Sequence, residues 1–216
     1  MQILQTKDFT LFVTRRPPDA LPLTMFPEIE RTLVTKQQIA TRVKEMAQEI
    51  VRDLEEDLAK DGDSRLDEDR VIIIPIMTGA MIFVADLIRE LPVKLSLGLT
   101  SVRSYPGASI SSKGAHLESD LPDNLEGKHV VVLDDILDSG QTLALVKAII
   151  LKQKPASLRL GVMLDKQTTR TIDVKVDYTG FEIPDEFVVG YGLDYDGYYR
   201  NHPEIVILNQ DAIPKR

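Results

Sequence analysis

The run VVVLDDILDSGQTL, at positions 130–143, holds the side chains of this chain that are best suited to chemistry. Its apolar start predicts a short buried strand, and the adjacent carboxylates Asp134 and Asp135 stand where we expect that strand to end. A turn of small polar residues follows at positions 138–142, and LALVKAIILK then predicts a helix. Parallel α/β sheets bind phosphorylated ligands beside such turns, at the carboxyl ends of their strands. The run therefore predicts a site for a phosphorylated ligand.

The turn at positions 138–142 has the parts of a phosphate site. Backbone N–H groups at the start of the helix can hold a phosphate, and the helix dipole favours its negative charge. Gly140 lets the backbone approach the ligand closely, while Ser139 and Thr142 offer hydroxyl groups. A simpler interpretation, in which Asp138 or Ser139 only caps the helix, is open at this point.

Asp134 and Asp135 serve a different part of the ligand, because two carboxylates repel a phosphate group. Carboxylates accept hydrogen bonds from hydroxyl groups and bind hard divalent cations. We therefore expect this pair to hold the vicinal hydroxyls of a ribose, either directly or through a divalent metal.

The composition is that of an ordinary globular chain, with 216 residues, 43% of them hydrophobic and 28% charged. The net charge of −8 lowers the expectation of a nucleic-acid surface. The absence of cysteine fits a reducing compartment, and the first ten residues hold no apolar signal-peptide region. Pro75 and Gly79 interrupt the longest apolar stretch, at positions 71–88. We expect a cytoplasmic protein that binds neither nucleic acid nor membrane.

The remaining pattern predicts how the chain positions this site. Residues 1–34 are proline-rich without a clear period and predict an N-terminal extension or arm, with one domain at 35–216. Thr35 and Gln38 form a capping-box pattern before an amphipathic helix that reaches residue 58. Strands separated by helices indicate an α/β fold with a parallel sheet. Strands are predicted at 71–76, 93–99, 130–133, 157–164, 174–181, 187–195 and 204–208, and further helices at 81–91 and 143–152.

The opening run resembles the phosphoribosyl-pyrophosphate (PRPP) signature of type I phosphoribosyltransferases. That signature has hydrophobic residues, two acids, two hydrophobic residues, Asp, Ser or Thr, Gly, any residue and Thr, and every place is filled here. The one departure is Asp134, where the purine enzymes often carry Glu. Over roughly residues 35–210 the chain resembles the hypoxanthine-guanine phosphoribosyltransferases. This resemblance implies a parallel-sheet type I phosphoribosyltransferase fold with a small hood lobe.

The resemblance includes two further segments of the chain, and both would bind pyrophosphate. The turn Met77-Thr78-Gly79 would hold it through backbone amides, across a non-proline cis peptide between Met77 and Thr78. Several relatives carry Lys or Asn in place of Thr78. Ser104 and Tyr105 would belong to a loop, long and polar, that closes over the reaction centre and holds pyrophosphate. Taken alone, these two motifs are also typical of an ordinary turn after a strand and of a surface loop.

Two later segments concern the base and the leaving group. Lys166 ends a core strand, and the resemblance implies that it donates to the 6-oxo group of a purine and excludes a 6-amino base. Phe187 would stack on the purine and the backbone at Val188 would contact its edge.

Three more residues would act on pyrophosphate: Arg170 and Arg200 would bind it, and Asp194 would bind magnesium beside it. Thr169 stands where the family usually has proline before Arg170.

The reaction implied is reversible transfer of the 5-phosphoribosyl group from PRPP to N9 of hypoxanthine or guanine, which gives IMP or GMP and pyrophosphate. Asp138 would act as general base on the purine N7 proton. Residues 139–142, including Gln141, would bind the 5-phosphate, and Asp134 and Asp135 the ribose hydroxyls or Mg²⁺. The resemblance also implies a homodimer or homotetramer. Two alternatives are a PRPP-fold regulator that binds RNA, and a phosphoribosyltransferase for xanthine or for a pyrimidine such as orotate or uracil.

Overall fold

The computed structural model describes residues 2–6, 9–13, 26–60, 70–103, 116–117 and 121–209. For residues 2–6, 9–13, 103 and 116 this description is of the backbone alone. Three helices are present in this part of the chain: α1 (Lys36–Lys60), α2 (Met81–Glu90) and α3 (Gln141–Lys152). The strands are β1 (Gln2–Thr6), β2 (Phe9–Val13), β3 (Ile29–Val34), β4 (Val71–Met77), β5 (Ser96–Leu97), β6 (Thr100–Arg103), β7 (His116–Leu117), β8 (His129–Leu137), β9 (Ser157–Asp165), β10 (Tyr178–Glu182), β11 (Val188–Val189) and β12 (Ile205–Leu208).

The central sheet has the strand order β10-β9-β8-β4-β6-β7, and β5 also pairs with β4. Every pair in it is parallel except β6 with β7, which is antiparallel. A mostly parallel sheet with helices between its strands is the predicted α/β class. All carboxyl ends of the parallel strands therefore lie at one edge of the sheet.

The strands at the centre of the sheet are apolar on both faces because helices cover both faces. In β4, Val71 and Ile73 pack in one hydrophobic cluster with residues of α1 and α2. Their neighbours Ile72 and Ile74 point the other way and pack with residues of α3. Alternation along one strand thus divides the core into two layers and holds the sheet edge rigidly between them.

The capping box that the sequence predicts at the start of α1 is present. Gln38 Oε1 accepts a hydrogen bond from the Thr35 amide at 2.9 Å, and Thr35 Oγ1 accepts one from the Gln38 amide at 3.3 Å. This pairing satisfies amides that would lack a partner at the helix start. Among the described residues, no helix is long and apolar enough to cross a lipid bilayer.

A second, antiparallel sheet forms the hood lobe, with the order β11-β12-β3. Residues 29–34, which the sequence places in the N-terminal extension, form β3 and pair with β12. These residues are therefore part of the hood sheet. Strands β1 and β2 form a separate antiparallel pair within the extension.

Several predicted strand boundaries are wrong. Strand β8 does not end before Asp134 but continues through Asp135 to Leu137, because β9 offers a ladder of equal length and pairs with it as far as Asp165. The predicted strand at 93–99 is replaced by β5 and β6, and the one at 174–181 begins only at Tyr178. The strand at 187–195 is limited to β11, because positive φ angles at Gly190, Tyr191 and Gly192 turn the chain.

Candidate active site

A cavity of about 270 Å³ opens at the carboxyl ends of β4 and β8. This is where a parallel sheet is expected to bind its ligand. Many of the predicted site residues line it together: Met77, Gly79, Asp134, Asp135, Asp138, Ser139, Gly140 and Thr142. The structure thus brings the two acids, the turn before α3 and the turn after β4 into one concave surface.

The acid pair is the most perturbed electrostatic feature of this surface. Burial raises the pKa of Asp134 well above its ordinary value, and the neighbouring charge of Asp135 adds to the effect. Burial also raises the pKa of Asp135, although a hydrogen bond from the Ile136 amide at 2.8 Å and the charge of Arg200 act in the opposite direction. A buried carboxylate next to a partly buried one is typical of a functional site, because a fold gains no stability from such a pair.

The turn between β8 and α3, which we call the phosphate turn (residues 138–142), is held by a later segment of the chain. The amides of Thr171 and Ile172 both donate to the Ser139 carbonyl oxygen at 3.0 Å. Gly140 has a φ angle of +84°, and a Cβ added there would lie 2.2 Å from the Ile172 carbonyl oxygen. Only glycine fits this position. As the N-cap of α3, Gly140 has no side chain over the first amides of the helix.

Asp138 opens the phosphate turn, and its side chain is exposed to solvent. One carboxylate oxygen, Oδ1, accepts a hydrogen bond from the Thr169 hydroxyl. The side chain does not cap α3, so the simpler capping interpretation of Asp138 is wrong. Ser139 Oγ lies 3.4 Å from the amide of Gln141, the first residue of α3, at the long end of hydrogen-bond distances.

The turn after β4 lies directly against the acid pair. The peptide bond between Met77 and Thr78 is cis, as the resemblance implies. A Cβ added to Gly79 would lie 1.7 Å from Asp135 Oδ2, so the carboxylate occupies the space that any other residue would need. The backbone of this turn and the carboxylates of β8 therefore face the same ligand volume.

Lys166 and Phe187 are the two side chains predicted to contact the base. Lys166 is 7% exposed, its amide donates to the Leu137 carbonyl oxygen at 3.0 Å, and its Nζ lies 3.5 Å from Asp185 Oδ1. Phe187 is 41% exposed and packs edge-on against Tyr195, with 5.5 Å between the ring centroids. Val188 is buried in β11. Lysine is rarely buried unless it has a charged partner, and Asp185 is that partner here.

The two predicted pyrophosphate arginines each have a carboxylate partner within the chain. Arg200 Nη2 lies 2.7 Å from Asp194 Oδ1, and its Nη1 donates to the Gly192 carbonyl oxygen at 2.6 Å. Arg170 pairs through Nη2 with Asp165, while its Nε is buried without a hydrogen-bond partner. An orphaned buried donor on an arginine is a ready contact for an anion.

Asp165, Asp185 and Tyr195 are site residues that the sequence did not predict. Asp165 had a usable signal, because an acid at the end of a buried strand is as exceptional as Asp134 and Asp135. Asp185 and Tyr195 had none, since their contacts with Lys166 and Phe187 depend on how the chain folds back after β10. Ser104 and Tyr105 lie outside the described residues, so the closing loop stays a prediction.

Comparison with known proteins shows the family. The phosphoribosyl transferase domain matches residues 31–196. The hypoxanthine-guanine phosphoribosyltransferase of Bacillus subtilis strain 168 is 34% identical over 181 residues, which are 84% of this chain and 94% of that protein. The chain belongs to the hypoxanthine-guanine phosphoribosyltransferase family.

Solved structures of this family have the same fold. A hypoxanthine phosphoribosyltransferase from Staphylococcus aureus is 31% identical with a TM-score of 0.77, over 88% of this chain and 97% of that chain. The enzyme from Trypanosoma cruzi in complex with the product IMP is 33% identical with a TM-score of 0.75, over 87% and 98% of the respective chains. The predicted type I phosphoribosyltransferase fold is confirmed, and neither a pyrimidine enzyme nor an RNA-binding regulator is favoured.

Proposed function

We propose that this chain transfers the 5-phosphoribosyl group of PRPP to N9 of hypoxanthine or guanine, and so salvages the base as IMP or GMP with release of pyrophosphate. The observation that carries this proposal is the common cavity of the acid pair and the phosphate turn, in a member of the hypoxanthine-guanine phosphoribosyltransferase family. The related enzyme from Trypanosoma cruzi binds the product IMP with the same fold.

PRPP would bind with its 5-phosphate in the phosphate turn. The amides at the start of α3 and the hydroxyls of Ser139 and Thr142 donate to its oxygens, and Gln141 adds an amide N–H at the first position of the helix. The ribose hydroxyls would then donate to Asp134 and Asp135. Holding both ends of the sugar fixes the direction of the bond that breaks.

Pyrophosphate would lie across the backbone amides of Met77, Thr78 and Gly79. Arg170 and Arg200 would bind its oxygens, in exchange for part of their pairing with Asp165 and Asp194. Positive charge from two guanidinium groups stabilises the negative charge that develops on pyrophosphate as it leaves.

The purine would stack on Phe187, with its 6-oxo group facing Lys166 Nζ and its edge facing the backbone at Val188. An ammonium group offers only donors, so an acceptor at position 6 is bound and an amino group is rejected. As the bond from C1 of the ribose to pyrophosphate breaks and the bond to N9 forms, Asp138 would accept the proton from N7.

The donor set fits Mg²⁺. Carboxylate oxygens are the protein ligands that Mg²⁺ prefers, usually one or two of them together with substrate oxygens. Asp134 and Asp135 are such a pair, and burial disfavours their charge until a cation or hydroxyl donors compensate it. Asp194 would bind Mg²⁺ separately, on the pyrophosphate side, because among the described residues no three acidic side chains lie close enough together to hold one ion. Bound Mg²⁺ would supply charge neutralisation to the leaving group.

Substrate specificity tests the proposal. Initial rates are measured with PRPP and Mg²⁺ against hypoxanthine, guanine, xanthine, adenine, orotate and uracil. Turnover is expected with hypoxanthine or guanine and should be at least a hundredfold lower with adenine, because a buried donor facing another donor costs several kcal/mol. Equal use of adenine, or turnover of a pyrimidine alone, would overturn the assignment.

Two further parts of the proposal concern assembly and location. We propose a homodimer or homotetramer in the cytoplasm, and Leu97 and Leu99 are large apolar residues that are 49% and 56% exposed in the single chain. A subunit contact at these two side chains would remove their apolar surface from water. Light scattering on the purified protein measures the assembly, and a monomer at micromolar concentration would contradict it.

A further inference from the structure

The structure assigns Thr169 as a positioning residue for Asp138, an inference that rests on the proposed role of Asp138 as general base. Thr169 Oγ1 donates a hydrogen bond to Asp138 Oδ1 across 31 positions of sequence. The hydroxyl contacts the carboxylate that would accept the purine proton, but nothing in the proposed reaction brings it to the substrate itself. Its role would be exerted through Asp138.

The backbone that follows Thr169 is fixed to the phosphate turn, and this limits where its hydroxyl can lie. The next two contacts along the chain are the amides of Thr171 and Ile172, which both donate to the Ser139 carbonyl oxygen at 3.0 Å. The Thr171 hydroxyl donates to the same oxygen at 3.0 Å. Residues 169, 171 and 172 therefore join the phosphate turn at Asp138 and Ser139.

The hydrogen bond from the Thr169 hydroxyl affects the orientation of Asp138 because the Asp138 side chain is exposed to solvent. An exposed carboxylate rotates broadly about its terminal torsion and changes its rotamer freely. The hydrogen bond to Oδ1 selects one orientation and leaves Oδ2 to accept the proton from N7. A general base acts only within hydrogen-bond distance of its proton, so a fixed orientation increases the fraction of productive complexes.

The test compares Thr169→Val, which removes the hydroxyl at nearly constant size, with Thr169→Ser, which keeps it. Thr169→Val should lower the single-turnover rate about tenfold, toward the lower end of what a hydrogen bond to a charged group contributes. The dissociation constant of PRPP should stay within about twofold, because no phosphate contact is lost. Thr169→Ser should restore most of the rate. Thr168→Val, at the exposed neighbouring threonine, is the control and should behave as the parent protein.

A double-mutant cycle with Asp138→Asn separates this inference from the proposed function. If Thr169 acts through Asp138, Thr169→Val should cost less than about twofold in the Asp138→Asn background. A full tenfold loss in that background, or an unchanged rate for Thr169→Val alone, would overturn the positioning role while Asp138→Asn still slows the reaction. If Asp138→Asn does not slow transfer, the general-base assignment itself fails.

Discussion

The phosphate turn and the hood segment (residues 187–200) both contact the substrate in the proposed reaction, but they are built differently. The phosphate turn presents backbone amides at a helix start, and Gly140 lies close against the Ile172 carbonyl oxygen. In the hood segment the charged groups are paired within the chain, as Asp194 is with Arg200. Outside this segment, Lys166 Nζ lies 3.5 Å from Asp185 Oδ1.

This difference has a consequence for binding. A preformed set of backbone donors loses little conformational freedom when a phosphate arrives. A charge that already has a partner must exchange it, which lowers the net gain of the new contact but keeps the group from being buried alone. We therefore expect the phosphate turn to determine affinity for PRPP, and the region around the hood to determine which base is accepted and how pyrophosphate is released.

The largest expected effect comes from the acid of the phosphate turn. Asp138→Asn should slow transfer by about a hundredfold or more, the usual contribution of a general base, because an amide cannot accept the N7 proton. PRPP affinity should change little. Single-turnover rates and PRPP calorimetry on the same preparations measure both. Equal rates in the variant and the parent protein would refute the assignment of the base.

Alanine substitutions at one glycine in each region compare the phosphate turn with the hood segment directly. Gly140→Ala should weaken PRPP binding about tenfold or more and lower the free energy of unfolding by about 2 kcal/mol, because φ is +84° and the Ile172 carbonyl oxygen occupies the space. Gly197→Ala in the hood has a φ of +82° but no atom within 4 Å of the added Cβ, so only the conformational cost of about 1 kcal/mol is expected. Urea unfolding and PRPP titration check both. Similar losses of PRPP affinity would mean that the close contact at Gly140 is unimportant.

Lys166→Ala should reduce the preference for 6-oxopurines over adenine by about tenfold to a hundredfold, since the donor that distinguishes them is lost. Asp185→Asn is the matched variant, because it removes the partner of Lys166 and leaves the donor in place. It should change the preference by less than about threefold, as expected for a partner that is 58% exposed. The preference is measured as kcat/KM for hypoxanthine divided by kcat/KM for adenine, in the parent protein and in each variant. A larger change of the preference in Asp185→Asn than in Lys166→Ala would show that Lys166 is not the residue that recognises the 6-oxo group.

The smallest effect concerns stability. Because burial raises the pKa of Asp134 above its value of about 3.9 in an unfolded chain, the folded state disfavours the ionised form and loses stability as pH rises through that raised pKa. Asp134→Asn should therefore raise Tm by about 3 °C near pH 8 in the absence of Mg²⁺ and PRPP. The gain should shrink toward pH 4 and below, because the parent side chain is then protonated in the folded state and increasingly protonated in the unfolded state as well. Thermal melts across this pH range would contradict the account if the gain were constant or reversed.

Local motifs were the most predictable part of the molecule. The capping box of α1, the order of strands and helices, and the residues of the phosphate turn are all encoded within a few neighbouring positions. Their physical causes are short-range: periodic burial, helix capping and the absence of a Cβ. The sequence therefore predicts both the fold class and the phosphate site.

Contacts between distant segments were not predictable in the same way. The end of β8 was predicted wrongly at Asp134, because polarity along one strand does not reveal the length of its neighbour β9. The partners of Lys166 and Arg170 depend on chain reversals at the sheet edge, which no local pattern records. The same holds for the hydrogen bond from Thr169 to Asp138.

In the proposed reaction one site binds both PRPP and a 6-oxopurine, and the base replaces pyrophosphate on the ribose. The most direct measurement mixes excess enzyme with PRPP, Mg²⁺ and hypoxanthine, and follows IMP and pyrophosphate by chromatography in a single turnover. Both products should appear together in equal amounts, and Asp138→Asn should slow the formation of both by about a hundredfold. Release of pyrophosphate without IMP, or no product from a protein that binds PRPP, would contradict it.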